Sequence, residues 1–377
     1  MEKSGDKTFN VLHVVSKLPI GGVENMLLNE VKGYDDSRFN VSVCCIKEGG
    51  KIADELKKLG FNVEILYKMK GHGFDFGAVK SIYNLIKRKN IHILRTHQYH
   101  ANLYGRIAGI LAGVPVIIPI FQNVYESPNK PKFHRRVFNH ILALFSDSLI
   151  AVSNAVASDI IRFDWVSPKK IKLIYNNVVL ENFNTHFSKQ EARKIFNLPL
   201  NDTLIGTVGR LTKQKGHRYL IEAASKLGDG RIVIAGDGPL SKELKELADK
   251  YKVNCIFMGL VNPDRISLFL KALDIYCFPS LWEGLGIALA EALAAGLPVV
   301  ASDILPHKEL VHDAGILVPS EDTDRIVKAL KILIDNPALR DTLGKKSRER
   351  AKAFSIDNTV KAYDDIFKEI LRKKRLL

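Results

Sequence analysis

The chain has 377 residues, room for two or three domains at roughly 150 residues each and more than one small module needs. Hydrophobic residues make up 46% and charged residues 26%, the usage of a folded globular protein, which excludes disorder and fibrous repeats. Lys plus Arg number 56 against 41 for Asp plus Glu, a formal charge of +15, so an acidic partner is expected, with phosphate the leading candidate.

Along the chain, short Val- and Ile-rich runs alternate with segments of helical period. FNVLHVV, VENMLLNEV, FNVSVCCI, KIADELKKLG and FNVEILY come first. AVKSIYNLIKRKN, IHILRTH, NLYGRIAGILAG, VPVIIPIF, a helical stretch after Pro131 and SLIAVS follow. This rhythm predicts an α/β fold of parallel strands with helices on both faces. A second cycle opens near Leu204 with LIGTVG and runs through RIVIAG, NCIFMG, DIYCFP, LPVVAS and GILVP, so two α/β halves are expected with a hinge near residues 180–200. The N-terminal apolar stretch, Val11 to Val15, is too short for a secretory h-region, and Leu285 to Ala301 is too interrupted by Glu291, Gly296 and Pro298 to span a bilayer. Cys44, Cys45, Cys255 and Cys277 form no CxxC pair or disulfide ladder, which points to reduced thiols and a cytoplasmic protein.

Three motifs carry chemistry. Gly21 and Gly22 follow the first strand and precede Glu24, where a helix is expected to open; such a pair lets backbone approach an anion, although a tight turn also explains it. Gly209 and Arg210, followed by Lys213, Lys215 and Gly216, come just past strand Leu204 to Val208. In a doubly wound sheet the ligand crevice lies at that end, so Arg210 and Lys215 suit a diphosphate; a solvated basic loop is the plain alternative. Glu283 and Glu291 are separated by seven intervening residues in EGLGIALAEALAAGLPVVAS. Glu291, in a helix of Ala, Leu and Ile, needs donors to offset its desolvation, which a ribose diol or a basic side chain could supply. Glu283 lies before that helix, where Gly284 and Gly286 open the first-turn amides to a ligand.

Taken together, GGVE at 21–24, HANLYGRIAG at 100–109, GRLTKQKG at 209–216, GDGP at 236–239, FPSLWEGLGIALAEALAAGLPVVAS at 278–302 and GILVP at 315–319 resemble the retaining nucleotide-sugar glycosyltransferases of family 4 over nearly the whole length. The resemblance implies the GT-B architecture, two Rossmann-like doubly wound domains facing each other across a cleft. Residues 1–185 would form an acceptor-binding domain onto which a helix at 355–377 packs back, and residues 186–354 a nucleotide-sugar domain. It implies that Arg210 and Lys215 bind the donor diphosphate, Glu291 the ribose hydroxyls and Glu283 the transferred sugar. Gly21 and Gly22 would approach the phosphates, while Gly236, Gly259, Leu260, Gly286 and Ile287 would line the donor. Relatives carry a histidine at the strand end where Gln122 stands here; an amide donates hydrogen bonds but cannot become a cation. His97 and His100 are the nearest histidines that could compensate.

No nucleophile for a double displacement stands out, so retention implies attack from the leaving-group face, the departing phosphate oxygen taking the acceptor proton. The expected catalytic set is Glu283, Arg210, Lys215, His97 and Gln122, with no metal and no cofactor beyond a UDP- or GDP-linked sugar donor. The acceptor would be a glycan or lipid-linked sugar of cell-surface polysaccharide or glycolipid synthesis. NKPKFHRRVFNHILALF sets Lys130, Lys132, Arg135 and Arg136 beside an apolar helix, and Arg372 to Arg375 add a second basic cluster. Both suit an anionic membrane surface, or a solvated basic rim. The alternatives are a nucleotide-sugar epimerase or hydrolase of the same shape and, remotely, a nucleic-acid-binding protein; the basic runs lack interleaved aromatics, so no nucleic acid is expected. A nicotinamide dehydrogenase is a poor match, since no GxGxxG follows the first strand.

Overall fold

The alternation of buried strands and amphipathic helices is realised twice in a computed structural model that describes residues 8–19, 21–69, 74–125, 130–228 and 231–377. The first sheet comprises β1 (Phe9–Val15), β2 (Phe39–Cys45), β3 (Asn62–Ile65), β4 (Ile93–His97), β5 (Val116–Phe121), β6 (Leu149–Ala151) and β7 (Ile171–Leu173), ordered β3-β2-β1-β4-β5-β6-β7. The second comprises β8 (Leu204–Val208), β9 (Arg231–Ala235), β10 (Cys255–Gly259), β11 (Ile275–Phe278), β12 (Val299–Ser302) and β13 (Gly315–Val318), ordered β10-β9-β8-β11-β12-β13. Every strand pair is parallel. Central strands such as β4 and β12 are buried on both faces, and this is why they read as unbroken apolar runs. Leu12, Val14, Ile82 and Leu94 sit in the first core, Ile205, Ile232, Leu330 and Leu333 in the second.

Both orders reverse once, between β1 and β4 and between β8 and β11. At such a switch point the connections leave toward opposite faces of the sheet, and the gap at the strands' carboxyl ends is where ligands bind. The chain therefore holds two Rossmann-like doubly wound domains, each with one switch point.

Contacts divide the chain into one unit that reaches Asn177 and takes in Ile356–Leu377, and another spanning Val178–Ser355. The division falls at 177/178 rather than 185/186 because Val178 already donates to the Phe354 carbonyl and pairs with Ser355. The first helix begins at Gly22 rather than Glu24, since Asn25 N–H already bonds the Gly21 carbonyl. Strand β7 escapes the sequence pattern: it is three residues, Ile-Lys-Leu, with no residue buried.

The C-terminal helix, Ile356–Lys373, is tied to the first unit through a buried cation. Arg95 on β4 is fully buried, pairs with Glu30 and Tyr34, and stacks its guanidinium 3.6 Å from the Tyr363 ring centre. Tyr34 in turn stacks on Phe367. The basic cluster that follows is partly engaged within the chain, Lys373 with Glu369 and Lys374 with Asp147. Removing Glu30 would strand a buried guanidinium, so Glu30→Ala should cost the first unit about 3–5 kcal/mol in urea unfolding. The double change Glu30→Leu with Arg95→Met should recover most of that loss; equal losses in both variants would contradict the pairing.

Candidate active site

In the second unit, the loops leaving β8 and β11 are zipped together. Leu281 N–H donates to the Gln214 carbonyl at 2.7 Å, and Gln214 Nε2 donates to the Trp282 carbonyl at 2.9 Å. Gly216 abuts the Pro279 carbonyl so closely that a Cβ there would collide with it. This zipper delivers Lys215 Nζ to within 2.6 Å of Glu283 Oε1, and both side chains are largely buried. The lysine stem crosses Gly209, and its ammonium lies 5.0 Å from the Phe278 ring centre. Arg210 is exposed, and no ion pair among the described residues engages it.

Backbone packs on backbone at the ends of β8, β9 and β10. Gly236 N–H donates to the Gly259 carbonyl at 2.7 Å, and a Cβ on Gly236 would run into the Gly209 carbonyl. Leu260, just beyond, is 80% exposed. Gly286 precedes helix Ile287–Ala294, whose first-turn amides start beside Glu283. Glu291 lies in that helix, partly accessible yet enclosed enough for burial to push its acid up to about 7. Tyr276 is raised by burial and further by the charges of Glu291 and Glu283.

One neighbour escaped sequence reasoning. His307, fully buried, has its Nδ1 2.9 Å from the Ser302 carbonyl. A carbonyl only accepts, so that nitrogen carries the proton. Its Nε2, without a partner, lies 3.7 Å from where a side chain at Gly286 would begin. Burial holds the imidazole down at about 4. The only signal was a histidine in LPHKEL after an apolar strand.

The first unit carries the remaining candidates. Gly21 and the exposed Gly22 open the first helix, and the Glu24 carboxylate folds back over Gly21 while accepting from Gln98 Nε2 at 3.0 Å. Burial raises Glu24, the last residue of the GGVE motif. His97 ends β4 fully enclosed, its Nε2 3.1 Å from His13 Nδ1. Burial, then Arg95, holds both rings well below the usual imidazole range, so His97 is neutral and stores no positive charge. Gln122, buried at the end of β5, has no protein partner for either amide atom, an uncompensated polarity that packing alone does not explain. Among the described residues, no helix is long and apolar enough to cross a membrane.

Comparison with known proteins agrees with this layout. The model described as Glycosyltransferase Family 4 matches residues 20–182, and that of Glycosyl transferases group 1 matches residues 188–350. An Escherichia coli UDP-Gal:alpha-D-GlcNAc-diphosphoundecaprenol alpha-1,3-galactosyltransferase is 30% identical over 99% of this chain and 100% of its own. A Campylobacter jejuni N-acetylgalactosamine-N,N'-diacetylbacillosaminyl-diphospho-undecaprenol 4-alpha-N-acetylgalactosaminyltransferase is 31% identical over 64% of this chain and 66% of its own. The crystal structure of Anabaena Alr3699/HepE in complex with UDP superposes with a TM-score of 0.84 at 19% identity, covering 96% of this chain and all of that one.

The raised acid of Glu291 has a stability consequence. The folded chain holds this proton up to about 7, whereas the unfolded chain releases it near the ordinary glutamate value, so stability falls as pH rises through that window. Glu291→Gln should flatten the decline in urea midpoint between about pH 5 and pH 8. An unchanged decline would show that the carboxyl is not held in this environment.

Proposed function

Because the chain belongs to the family 4 glycosyltransferases, we propose that it moves a hexose from a UDP-linked donor to a sugar carried on a lipid diphosphate, with retention of anomeric configuration. One observation carries the donor half of this reading. Lys215 and Glu283, on the loops leaving the two switch-point strands, hold each other at 2.6 Å. A diphosphate offers Lys215 more negative charge than one carboxylate does, and the freed Glu283 can accept from a sugar hydroxyl. Arg210 meets the same diphosphate, and the carboxylate form of Glu291 takes the ribose diol.

Departure of the nucleoside diphosphate is the step that most needs help. Arg210, Lys215 and the first-turn amides of helix Ile287–Ala294 supply positive charge where negative charge grows. With that supply the proposed reaction calls for no metal ion and no cofactor besides the donor. The acceptor hydroxyl attacks from the face the diphosphate leaves, and a departing phosphate oxygen takes its proton. Gln122, with both amide atoms free, and the neutral His97 orient hydroxyls by hydrogen bonds; neither acts as a base. The acceptor class follows the two relatives named for diphosphoundecaprenol-linked substrates.

A lipid-linked acceptor has to be met at a membrane surface. In the first unit Phe133, Phe138, Ile141, Leu144, Phe145 and Trp165 are 44–69% exposed along one apolar strip on and beside helix Phe133–Leu144. Lys130, Lys132 and Arg162 are exposed around it, an apolar face with a cationic rim that matches an anionic bilayer.

Thermal unfolding with UDP, UDP-galactose, UDP-glucose and their GDP counterparts tests the donor reading. UDP-sugars at about 100 times Kd should stabilise the second unit by about 2.7 kcal/mol. Lys215→Ala should weaken UDP about tenfold or more. No response to any nucleotide sugar, or an undiminished response in the variant, would contradict it.

A further inference from the structure

A second cationic site lies wholly inside the first unit. Lys47 follows β2, with its backbone N–H bonded to the Ser16 carbonyl just beyond β1. Tyr99 and His100 occupy the first turn of helix Gln98–Ala112, directly after β4, and their rings touch at 5.2 Å. Arg135, brought in by helix Phe133–Leu144, lays its guanidinium 3.4 Å from the Tyr99 ring centre. Its Nε is buried and has no hydrogen-bond partner. Among the described residues no carboxylate forms an ion pair with Lys47 or Arg135; of the acids at this end of the sheet, Glu24 is bonded to Gln98 and Glu48 is paired with Lys17 while also feeling the charge of Lys47. Burial and then the charges of Lys47 and Arg135 hold His100 below its usual range. All four side chains are half-buried.

We propose that Lys47, His100 and Arg135 bind the diphosphate of the lipid-linked acceptor, a subsite that rests on the acceptor reading above. Three features select that ligand. A stacked, pre-oriented guanidinium suits a phosphate's paired oxygens, and the first-turn amides of a 15-residue helix add their dipole. Two negative charges relieve the repulsion among the cations, where a neutral sugar would not. The position completes the case: Arg135 lies on the same helix as the exposed Phe138, Ile141 and Leu144, so a lipid tail resting on that strip leads to its own headgroup site within the helix's length.

Isothermal titration of the full chain with geranyl diphosphate, in saturating UDP to occupy the donor site, tests this. Saturable binding is expected, weakened about tenfold or more by Arg135→Gln and by Lys47→Gln, with UDP affinity unchanged. Arg135→Lys, which keeps the charge but loses the fork, should fall between. Inorganic pyrophosphate should bind more weakly than geranyl diphosphate. The proposal is overturned if geranyl diphosphate gives no saturable heat while UDP binds, if both variants bind it as the parent does, or if inorganic pyrophosphate binds equally well. If UDP fails to bind while the variants still lose geranyl diphosphate, the donor reading falls and this one stands.

Discussion

A parallel sheet wound in both directions has one place where consecutive crossovers part, and both sheets of this chain put their chemically loaded loops there. In the second unit, the loops after β8 and β11 meet through the Leu281 N–H donating to the Gln214 carbonyl and the Gln214 side-chain amide donating to the Trp282 carbonyl, and only then can Lys215 reach Glu283. The ion pair depends on that zipper, and the zipper on Gly216 having no side chain against the Pro279 carbonyl. In the first unit, the same constraint stations His97, Tyr99 and His100 at the end of β4 and Gly21 and Gly22 beyond β1. The chemistry is thus set by strand order before any side chain is considered.

The polar groups in these places are costly, and their cost separates function from packing. An amide buried without partners, as in Gln122, or an acid pushed up to about 7, as in Glu291, weakens a fold unless a ligand later satisfies it. Arg95 is the contrasting case: it is equally buried, but Glu30, Tyr34 and Tyr363 answer it, and its work is to tether the C-terminal helix. A buried charge set against an opposite one reads as architecture even though Arg95 Nε and Nη2 lack hydrogen-bond partners; a buried amide with neither atom bonded reads as a site in waiting.

Much of the fold was legible because burial on both faces makes each central strand a continuous apolar run, so twelve of the thirteen strands among the described residues could be read directly, from FNVLHVV at β1 to GILVP at β13. The thirteenth, β7, has too few residues and too little burial to leave a pattern. Among the candidate site residues, Lys215, Glu283 and Glu291 stood out in the sequence because charge within glycine-flanked or apolar sequence is conspicuous. His307, His13 and Lys47 were not, since their meaning comes from neighbours far away in the chain: Gly286 for His307, His97 for His13, and His100 with Arg135 for Lys47. That Lys215 and Glu283 touch was equally hidden, because spacing along the chain does not report pairing across a switch point.

The central claim is that the Lys215–Glu283 pair is the resting form of a donor site. A crystal structure of the chain soaked with UDP-glucose tests it most directly. The diphosphate should lie on Lys215 and Arg210, with Lys215 Nζ drawn off Glu283 and the glutamate turned to the sugar. A nucleotide bound elsewhere, or an ion pair left intact beside a bound donor, would contradict the account.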